Sequence, residues 1–399
     1  MAVWVEVPRS VRRAFRWDAT AALLTGLYLG GVYPFLGVIA RRDLQASAFL
    51  IACLSASWSV GNLFAPLIAH YIRGRPKLPY AVGPGLVARS LFFAMPLAVG
   101  APAFIGISFL ASAVGSLGAP AYAAVIRDAY PVERRGRLMG LVRVVQIAAS
   151  MAAAAVVGSV LVRVSYRWVF PALAALGVLG TLAFSRIGVR AEPQEPPPPR
   201  TQPWESFHLL AADRAFRLYA ACFFLYGLGN LVMGPVIPIF QVDVLRISTP
   251  WVGYLATCAS AFGMLGYLLW GRVLDRHGPY RLMLSVVAVA AVAPTVYFFT
   301  HSVPPLLIAA AAQGLAGAGG DLGYVNAAMH FGRRDAVAAY AGMFAFLQAC
   351  RGIPGPFLGA ALAGALGPRA VFLIALGLWA TSAGLMLTRG PGARAQGHP

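Results

Sequence analysis

Long apolar runs separated by short polar segments make up this chain from residue 18 to residue 387. Each run is about 20 residues long, the length that a helix needs to cross the hydrocarbon core of a bilayer. Glycine and proline occur inside several runs, and membrane helices tolerate both when neighbouring groups satisfy the freed backbone atoms. The pattern predicts twelve membrane-spanning helices, over residues 18–40, 46–70, 79–100, 103–126, 138–162, 168–187, 216–240, 250–274, 280–301, 306–331, 338–366 and 370–387.

The one long break in this pattern lies between residues 188 and 213. It contains four consecutive prolines, Pro196 to Pro199, which favour an extended, semi-rigid spacer. The stretch from Trp204 to Phe216 predicts a short amphipathic helix on the membrane surface. We therefore predict an N-terminal six-helix bundle over residues 1–190, a cytoplasmic proline-rich linker with its amphipathic helix over 191–213, and a C-terminal six-helix bundle over 214–399.

The composition supports a membrane protein, since 59% of the residues are hydrophobic and only 11% are charged. A soluble domain carries roughly 25% charged residues. The net charge of +19 is of the kind that nucleic-acid-binding proteins carry, but here the basic residues are scattered between apolar runs. We therefore expect membrane lipid and a small-molecule substrate as partners, and no nucleic acid. The four cysteines all lie inside apolar runs and form no C-x-x-C pair, so neither a disulfide nor a metal site is expected.

The distribution of basic residues predicts the orientation of the chain. With the N-terminus inside, 23 of the 32 lysines and arginines lie in segments on the inner side and 6 lie in outer loops. This is the positive-inside bias of membrane proteins. The first apolar run is too long for the core of a signal peptide. We expect a multi-pass protein of a bacterial plasma (inner) membrane, with both termini cytoplasmic.

The two halves of the chain repeat each other weakly. Residues Gly115, Gly118, Arg134 and Arg135 recur 199 positions later as Gly314, Gly317, Arg333 and Arg334, and Gly140 and Gln146 recur 202 positions later as Gly342 and Gln348. Internal symmetry of this kind is typical of transporters, whose substrate site lies near the middle of the membrane between the repeats. No enzyme constellation and no phosphate-binding loop accompanies the repeat, so we expect no enzymatic activity.

A motif follows the eighth predicted span, Gly271-Arg-Val-Leu-Asp275-Arg276-His-Gly278-Pro-Tyr-Arg281. The pattern G-x-x-x-D-R-x-G-x-x-R closely resembles the signature loop of the major facilitator superfamily. The segment Pro131–Gly136 after the fourth span is similar to that family's usual loop. The resemblance implies an all-α membrane protein of twelve-helix type, with the superfamily fold of two six-helix bundles related by pseudo-two-fold symmetry. It also implies that the loop acts as a latch for the state closed to the cytoplasm.

The chemistry of this gating motif is specific to its residues. Gly271 and Gly278 permit a tight turn and a close approach of helices. Asp275 accepts hydrogen bonds from an arginine or from the N-terminus of a neighbouring helix. The corresponding segment of the first half, residues 65–75, is basic at its end and lacks an aspartate. The latch is therefore expected only in the second half, and the alternative is a basic loop that merely sets orientation.

By the resemblance, spans 1, 4, 7 and 10 line a central cavity, and Asp321 in span 10 is expected to be the only acidic residue deep in a span. A carboxylate in hydrocarbon is costly, so it must face a cavity, pair with a base or carry a proton. We expect Asp321 to bind the coupling proton or another cation, and the alternative is a structural ion pair with an arginine. Tyr324, three residues on, and Tyr122, which lies 199 positions before Asp321, are expected to line the cavity.

Further cavity candidates come in pairs that share a helix face. Arg143 and Gln146 lie three residues apart in span 5, and Gln348 and Arg351 repeat that spacing in span 11. Arg351 either pairs with Asp321 or binds an anionic group. Arg143 either lines the cavity or reaches for the membrane surface, and Arg89 in span 3 is expected to reach for the surface. In span 7, Tyr226 and Asn230 share a face. Tyrosines with few charges predict a largely apolar or amphipathic substrate.

The sequence therefore predicts a secondary active transporter that works by alternating access and exports a hydrophobic or amphipathic solute with proton coupling. The energy source is the proton gradient and no bound cofactor is expected. Span 11 contains Gly352-Ile-Pro354-Gly355-Pro356, which resembles a motif of drug antiporters, although in that family it lies in span 5. An importer or uniporter of a neutral metabolite, and a transport-inactive receptor, are the alternatives. The fold is able to work as a monomer.

Overall fold

The computed structural model describes residues 9–72, 75–188, 213–331 and 337–389, and all regular elements in these ranges are helical. The first half contains α1 (Arg9–Arg42), α2 (Ala48–Leu63), α3 (Ala65–Tyr71), α4 (Lys77–Ser90), a 3₁₀ helix (Leu91–Leu97), α5 (Gly100–Ser116), α6 (Ala119–Ala129), α7 (Val132–Val160) and α8 (Tyr166–Phe184). The second half contains α9 (Arg214–Asp243), α10 (Thr249–Ala290), α11 (Val292–Phe299), α12 (Leu306–Phe331), α13 (Val337–Gly352), α14 (Pro354–Leu366) and α15 (Pro368–Arg389). The predicted linker lies outside the described residues except for Asp213.

Eight helical stretches in the described part of the chain are long and apolar enough to cross a membrane. They cover nine of the twelve predicted spans, because the longest stretch, Thr249–Phe299 with 51 residues, contains two of them. The other three predicted spans fall on α2 with α3, on α12, and on α13 with α14. The protein is therefore a multi-pass membrane protein.

Three of the predicted spans contain a break in the helix that a proline closely follows. The interruptions lie at Phe64, at Leu117–Gly118 and at Ile353, and a proline follows each within two residues. Proline has no N–H for the helix ladder and its ring crowds the preceding residue, so the first helix stops there and a second one starts at the proline. The spans are thus built from paired short helices at these positions.

The described residues divide into two compact units. The first contains residues up to 46, residues 57–188 and residues 248–257, and the second contains residues 47–56, 213–247 and 258–389. In the first unit, Thr257 donates a hydrogen bond to the carbonyl of Met151 at 3.1 Å. In the second, the Phe49 and Phe357 rings lie 5.4 Å apart. The N-terminal part of α2 therefore belongs to the second unit and the remainder of that helix to the first. For α10 the assignment is reversed, with its N-terminal part in the first unit.

Each unit buries its first long helix. In the first unit, α1 packs mainly against α7 and α8, and in the second unit, α9 packs mainly against α15 and α14. Large aromatic side chains fill both cores, including Phe170 in the first unit and Trp379 in the second. The helices α1 and α9 therefore present most of their surface to protein, which fixes their rotation and the direction of every polar side chain that they carry.

The signature motif forms a kink inside α10. Gly278 has φ 75° and ψ 177°, a conformation that side chains with a β-carbon rarely adopt. Pro279 follows directly and starts the next helical segment, where its missing N–H costs nothing. At Gly271, by contrast, an added β-carbon would meet no neighbouring atom within 4 Å, so close packing does not account for that glycine.

We predict that Gly278→Ala destabilises the protein by about 1–2 kcal/mol, because alanine must adopt a left-handed backbone conformation there. The measurement is the thermal unfolding midpoint of the purified protein in detergent. Gly271→Ala is the matched control, and its midpoint should be unchanged or slightly higher because alanine favours a helix over glycine. Equal midpoints for the two variants would contradict the assigned turn.

Candidate functional site

Asp321 lies far from both ends of α12, with an exposed side chain. It is 15 residues from the start of the helix and 10 from its end, which correspond to about 22 Å and 15 Å of helix. The hydroxyl of Tyr267, on α10, donates a hydrogen bond to Asp321 Oδ2 at 2.8 Å. No arginine or lysine forms an ion pair with Asp321 among the described side chains. An exposed carboxylate at this depth requires an aqueous surface, because hydrocarbon cannot solvate it.

Arg351 is buried, at 6% exposure, and its guanidinium turns toward α9. Nη1 donates to the carbonyl of Phe223 and, at 3.1 Å, to the carbonyl of Phe224. The guanidinium carbon lies 4.4 Å from the centre of the Phe223 ring. Gly227 makes room for this arrangement, since a β-carbon there would overlap the guanidinium. The expected alternative in which Arg351 pairs with Asp321 is therefore not formed.

Tyr226 is buried between helices rather than open to a cavity. Its hydroxyl donates to the carbonyl of Ala316 at 3.2 Å, and its ring lies 5.8 Å from the indole of Trp379. Its backbone carbonyl accepts two bonds, from the Trp379 indole N–H at 2.9 Å and from the Asn230 amide at 3.1 Å. Asn230 is itself exposed. The two residues share a helix face as predicted, but only Asn230 is positioned to meet a solute.

The two polar residues of span 11, Gln348 and Arg351, differ in their exposure. Gln348 is exposed, while Arg351, three residues later, is buried. Of the two, Gln348 alone offers a free polar surface on α13. The side chain of Tyr324, a predicted cavity residue, lies outside the described part of the chain.

The polar pair of span 5 shares a helix face as predicted, and its two side chains are in contact. Arg143 Nη1 donates to Gln146 Oε1 at 2.7 Å, and Arg143 is exposed. In the same unit, the side chain of Tyr122 is 41% exposed and its ring lies 5.2 Å from that of Phe184. Both Tyr122 and Arg143 therefore present polar groups at the surface of the first unit.

The charged members of the signature motif are exposed. Asp275, Arg276 and Arg281 form no ion pair with another residue whose side chain the structure describes. Tyr280 within the same motif donates its hydroxyl to the carbonyl of Ala215, which joins the kink of α10 to the start of α9. The latch contact of Asp275 remains a prediction.

Asp18 corrects the expectation that Asp321 is the only acidic residue deep in a span. Helix α1 begins at Arg9, nine residues before the apolar run, so Asp18 lies in its third turn. The side chain is 2% exposed, and the hydroxyl of Tyr130 donates to Asp18 Oδ2 at 2.7 Å. Residues Arg13-Ala-Phe-Arg16 recur 201 positions later as Arg214-Ala-Phe-Arg217. That repeat aligns residue 18 with Tyr219, inside the seventh predicted span, and would have moved residue 18 from the edge of the first span to its interior.

Arg89 is the third inward-facing polar group. Its Nη1 donates to the carbonyl of Gly85 at 3.0 Å, one turn earlier on α4. Its Nε is buried and has no hydrogen-bond partner among the described residues. The guanidinium carbon lies 5.7 Å from the centre of the Tyr28 ring. Arg89 therefore turns into the first unit instead of reaching for the membrane surface as expected.

A cavity of about 660 Å³ opens beside the first turns of α1. Its lining is strongly basic, and consists of Arg12, Arg13, Arg16, Trp17 and Thr20. The candidate residues Asp321, Tyr122 and Gln348 do not line it. Its lining residues lie on the more exposed face of α1, opposite to the face that carries Val11, Ala14 and Asp18.

Comparison with known proteins assigns the fold. The family model of the Major Facilitator Superfamily matches the chain twice, over residues 19–252 and 219–398. The structure of the nucleoside transporter NupG is similar, with a TM-score of 0.76 and 13% identity over 94% of this chain and 100% of that one. No curated protein sequence matches the chain.

Two structures of a bacterial homologue of the human lysosomal transporter Spinster are also similar. Both are inward-facing, one unoccupied and one occupied, with TM-scores of 0.66 and 0.65 and 15% identity. They cover 95% and 93% of this chain, and the matches span 96% and 94% of those chains. At these identities the likeness is one of fold, and the matches together confirm the predicted fold class.

We predict that Gly227→Ala lowers the stability by about 1–3 kcal/mol, because the added methyl group displaces the buried Arg351 from its two carbonyl acceptors. The measurement is again the thermal unfolding midpoint in detergent. Gly234→Ala, seven residues along the same helix, is the control, since a β-carbon there meets only the Ser55 hydroxyl at 4.0 Å. A Gly227→Ala midpoint equal to that of the control would refute the assigned position of Arg351.

Proposed function

We propose that this chain, which belongs to the Major Facilitator Superfamily, exports a small hydrophobic or amphipathic solute in exchange for protons, by alternating access. Membership of the family makes the protein a multi-pass membrane transporter that carries a small molecule. The substrate class, the proton coupling, the direction of transport and a location in a bacterial plasma membrane with both termini cytoplasmic are the parts that we propose.

The observation that carries the proposal is the exposed carboxylate of Asp321 in the middle third of a largely apolar helix that has no other acidic residue. Since lipid cannot solvate this group, the side chain must lie on a water-accessible surface. A carboxylate at such a surface exchanges protons with the solution on whichever side the surface is open. It also attracts a cationic solute, and a proton and a solute that compete for one carboxylate are thereby exchanged for each other.

Tyr267 gives this carboxylate a partner that works in both protonation states. A phenol hydroxyl both donates and accepts hydrogen bonds. It can donate to the ionised carboxylate and accept the proton of the neutral acid, and its oxygen lies 2.8 Å from Asp321 Oδ2. The hydrogen bond therefore persists through a cycle of protonation, and Asp321 is held in place when the solute leaves.

The polar groups available to a solute favour an amphipathic substrate with little negative charge. Arg351, the one buried arginine of the second unit's described residues, is already bonded to backbone carbonyls. Exposed Asn230 and Gln348 offer neutral amides, and exposed aromatic rings include Tyr122 and Phe346. A solute with an apolar body and a neutral or cationic head matches this set of groups.

Import or uniport of a neutral polar metabolite is the second candidate. The observation in its favour is the same pair of exposed amides, Asn230 and Gln348, which are suited to bind hydroxyl or amide groups. The structurally similar NupG is a nucleoside transporter, so the fold accommodates such a substrate. Uniport differs from the main proposal in having no dependence on the pH gradient.

We predict that purified protein in proteoliposomes moves protons when a substrate is added, and that Asp321→Asn abolishes this movement. The assay uses a pH-sensitive dye inside the vesicles and a panel of lipophilic cations, sugars and amphipathic acids. Asparagine has nearly the shape of aspartate and carries no exchangeable acid proton, so the substitution removes coupling with little change in packing.

Tyr267→Phe is the companion variant, because it removes the hydrogen bond and leaves the carboxylate. We expect it to retain proton movement at a reduced rate. Empty liposomes and heat-inactivated protein set the background. Proton movement that survives in Asp321→Asn would contradict the coupling role, and solute flux without any proton movement would favour the uniporter.

A further inference from the structure

The carboxyl group of Asp18 is buried, in contrast to that of Asp321, and lies in an apolar surrounding. Its helix face also carries Val11, Ala14 and Ala21, which belong to a buried cluster with residues of α4, α6, α7 and α8. Asp18 itself is 2% exposed. No described lysine or arginine forms an ion pair with it. Its one described side-chain partner is the hydroxyl of Tyr130.

A single hydrogen bond does not balance the cost of burying a carboxylate. An ionised carboxyl group away from water and without a counterion is disfavoured by several kcal/mol, and such groups bind a proton instead. The neutral acid needs only one or two hydrogen bonds, which a tyrosine hydroxyl supplies. The geometry around Asp18 therefore suits the protonated form.

The internal repeat shows that the fold does not require an acid at this position. At the offset of 201 that relates Arg13–Arg16 to Arg214–Arg217, Asp18 corresponds to Tyr219. In the second unit the Tyr219 ring packs on the Phe331 ring, with their centres 5.5 Å apart. An apolar contact thus serves for packing in one half, while the other half has an acid and a hydrogen-bond donor.

We propose that Asp18 is a second proton-binding site, which takes up a proton when α1 is packed against the end of α6 and releases it when water reaches the carboxyl group. The hydrogen bond from Tyr130 joins the cytoplasmic part of α1 to the residue that follows α6. The backbone of Tyr130 is fixed as well, because Arg135 Nη2 donates a hydrogen bond to its carbonyl at 3.3 Å. A separation of these two elements removes the donor and hydrates Asp18 in one movement.

The charged and titratable groups around the site come from each packed element. Tyr130, at the end of α6, bonds to Asp18, and Tyr122 of α6 lies close enough to interact with its charge. Arg143 of α7 lies close to Tyr122 in turn. From the end of α8, Arg186 stacks on Trp17, next to Asp18, at 5.0 Å. On α4, Lys77 is bonded to Asp128 at 2.7 Å. None of these cations forms an ion pair with the Asp18 carboxyl group.

The chemistry favours a proton over a metal cation. Sodium or calcium needs several oxygen ligands around one point. The described surroundings of Asp18 supply one oxygen at hydrogen-bond distance, the Tyr130 hydroxyl, and the adjoining cluster is largely apolar. A small neutralising proton is the one cation that this site accommodates.

The test is infrared spectroscopy of the purified protein in detergent, which detects protonated carboxyl groups by their C=O stretching band. We expect a band at neutral pH in the wild-type protein that is missing in Asp18→Asn. Asparagine mimics the neutral acid and still accepts the Tyr130 hydrogen bond, so the variant should fold. Tyr130→Phe keeps the acid but removes the hydrogen bond, and its band should shift to higher frequency.

Asp213→Asn is the matched control, because Asp213 begins α9 and accepts bonds from the Phe216 N–H and the Tyr340 hydroxyl. Its removal should leave the protonated band unchanged. Identical spectra for wild type and Asp18→Asn between acidic and alkaline pH would overturn the proposal. If Asp18→Asn does not fold, an unshifted band in Tyr130→Phe overturns it equally.

The role of the site in transport rests on the proposed function, but the infrared measurement does not. It needs no substrate and no membrane gradient, so a transporter that moves no protons can still show the Asp18 band. In proteoliposomes, Asp18→Asn should lower the number of protons moved per solute while solute exchange continues. An unchanged ratio would overturn the coupling role of Asp18.

Discussion

Hydrocarbon cannot solvate a charge, and this constraint decides where each polar side chain of the spans can lie. The structure meets it in three ways. Arg351 turns inward and bonds to the carbonyls of Phe223 and Phe224. Asp18 is buried with a tyrosine hydroxyl as its partner. Asp321 remains exposed in the middle of its helix and therefore requires water beside it. The proposed transport pathway follows from that last requirement.

The two carboxyl groups differ in what surrounds them, and so in the work that each can do. Asp321 has an exposed surface and a phenol partner, which suits exchange with a solution and competition with a solute. Asp18 has a closed apolar surrounding, which suits proton uptake only in one arrangement of α1 and the end of α6. In the proposed mechanism, Asp18 responds to the arrangement of the helices and Asp321 meets the substrate, so each unit contributes one acid.

The positions of the helices could be predicted because span length and apolar composition are local properties. The turn at Gly278 is likewise local, since proline follows the glycine directly. The directions of side chains could not be predicted. Helices that are apolar on all sides carry no stripe that reveals their rotation, so Tyr226 was expected in the cavity and is buried against Ala316 and Trp379. Asp18 was expected at the edge of the first span because the residues before it are polar. Helix α1 nevertheless continues through those residues to Arg9, so Asp18 lies inside it. The repeated Arg-Ala-Phe-Arg segment would have revealed it.

The most direct test of the central claim is the accessibility of position 321 to water. Asp321→Cys is made in a chain whose four native cysteines are replaced, and its reaction with a charged, membrane-impermeant thiol reagent is measured in vesicles. Ala380→Cys, exposed near the middle of the apolar last helix, is the lipid-facing control. The account predicts that position 321 reacts, that a transported solute slows the reaction, and that position 380 stays silent. A position 321 that reacts only with lipid-soluble reagents, as position 380 should, would contradict it.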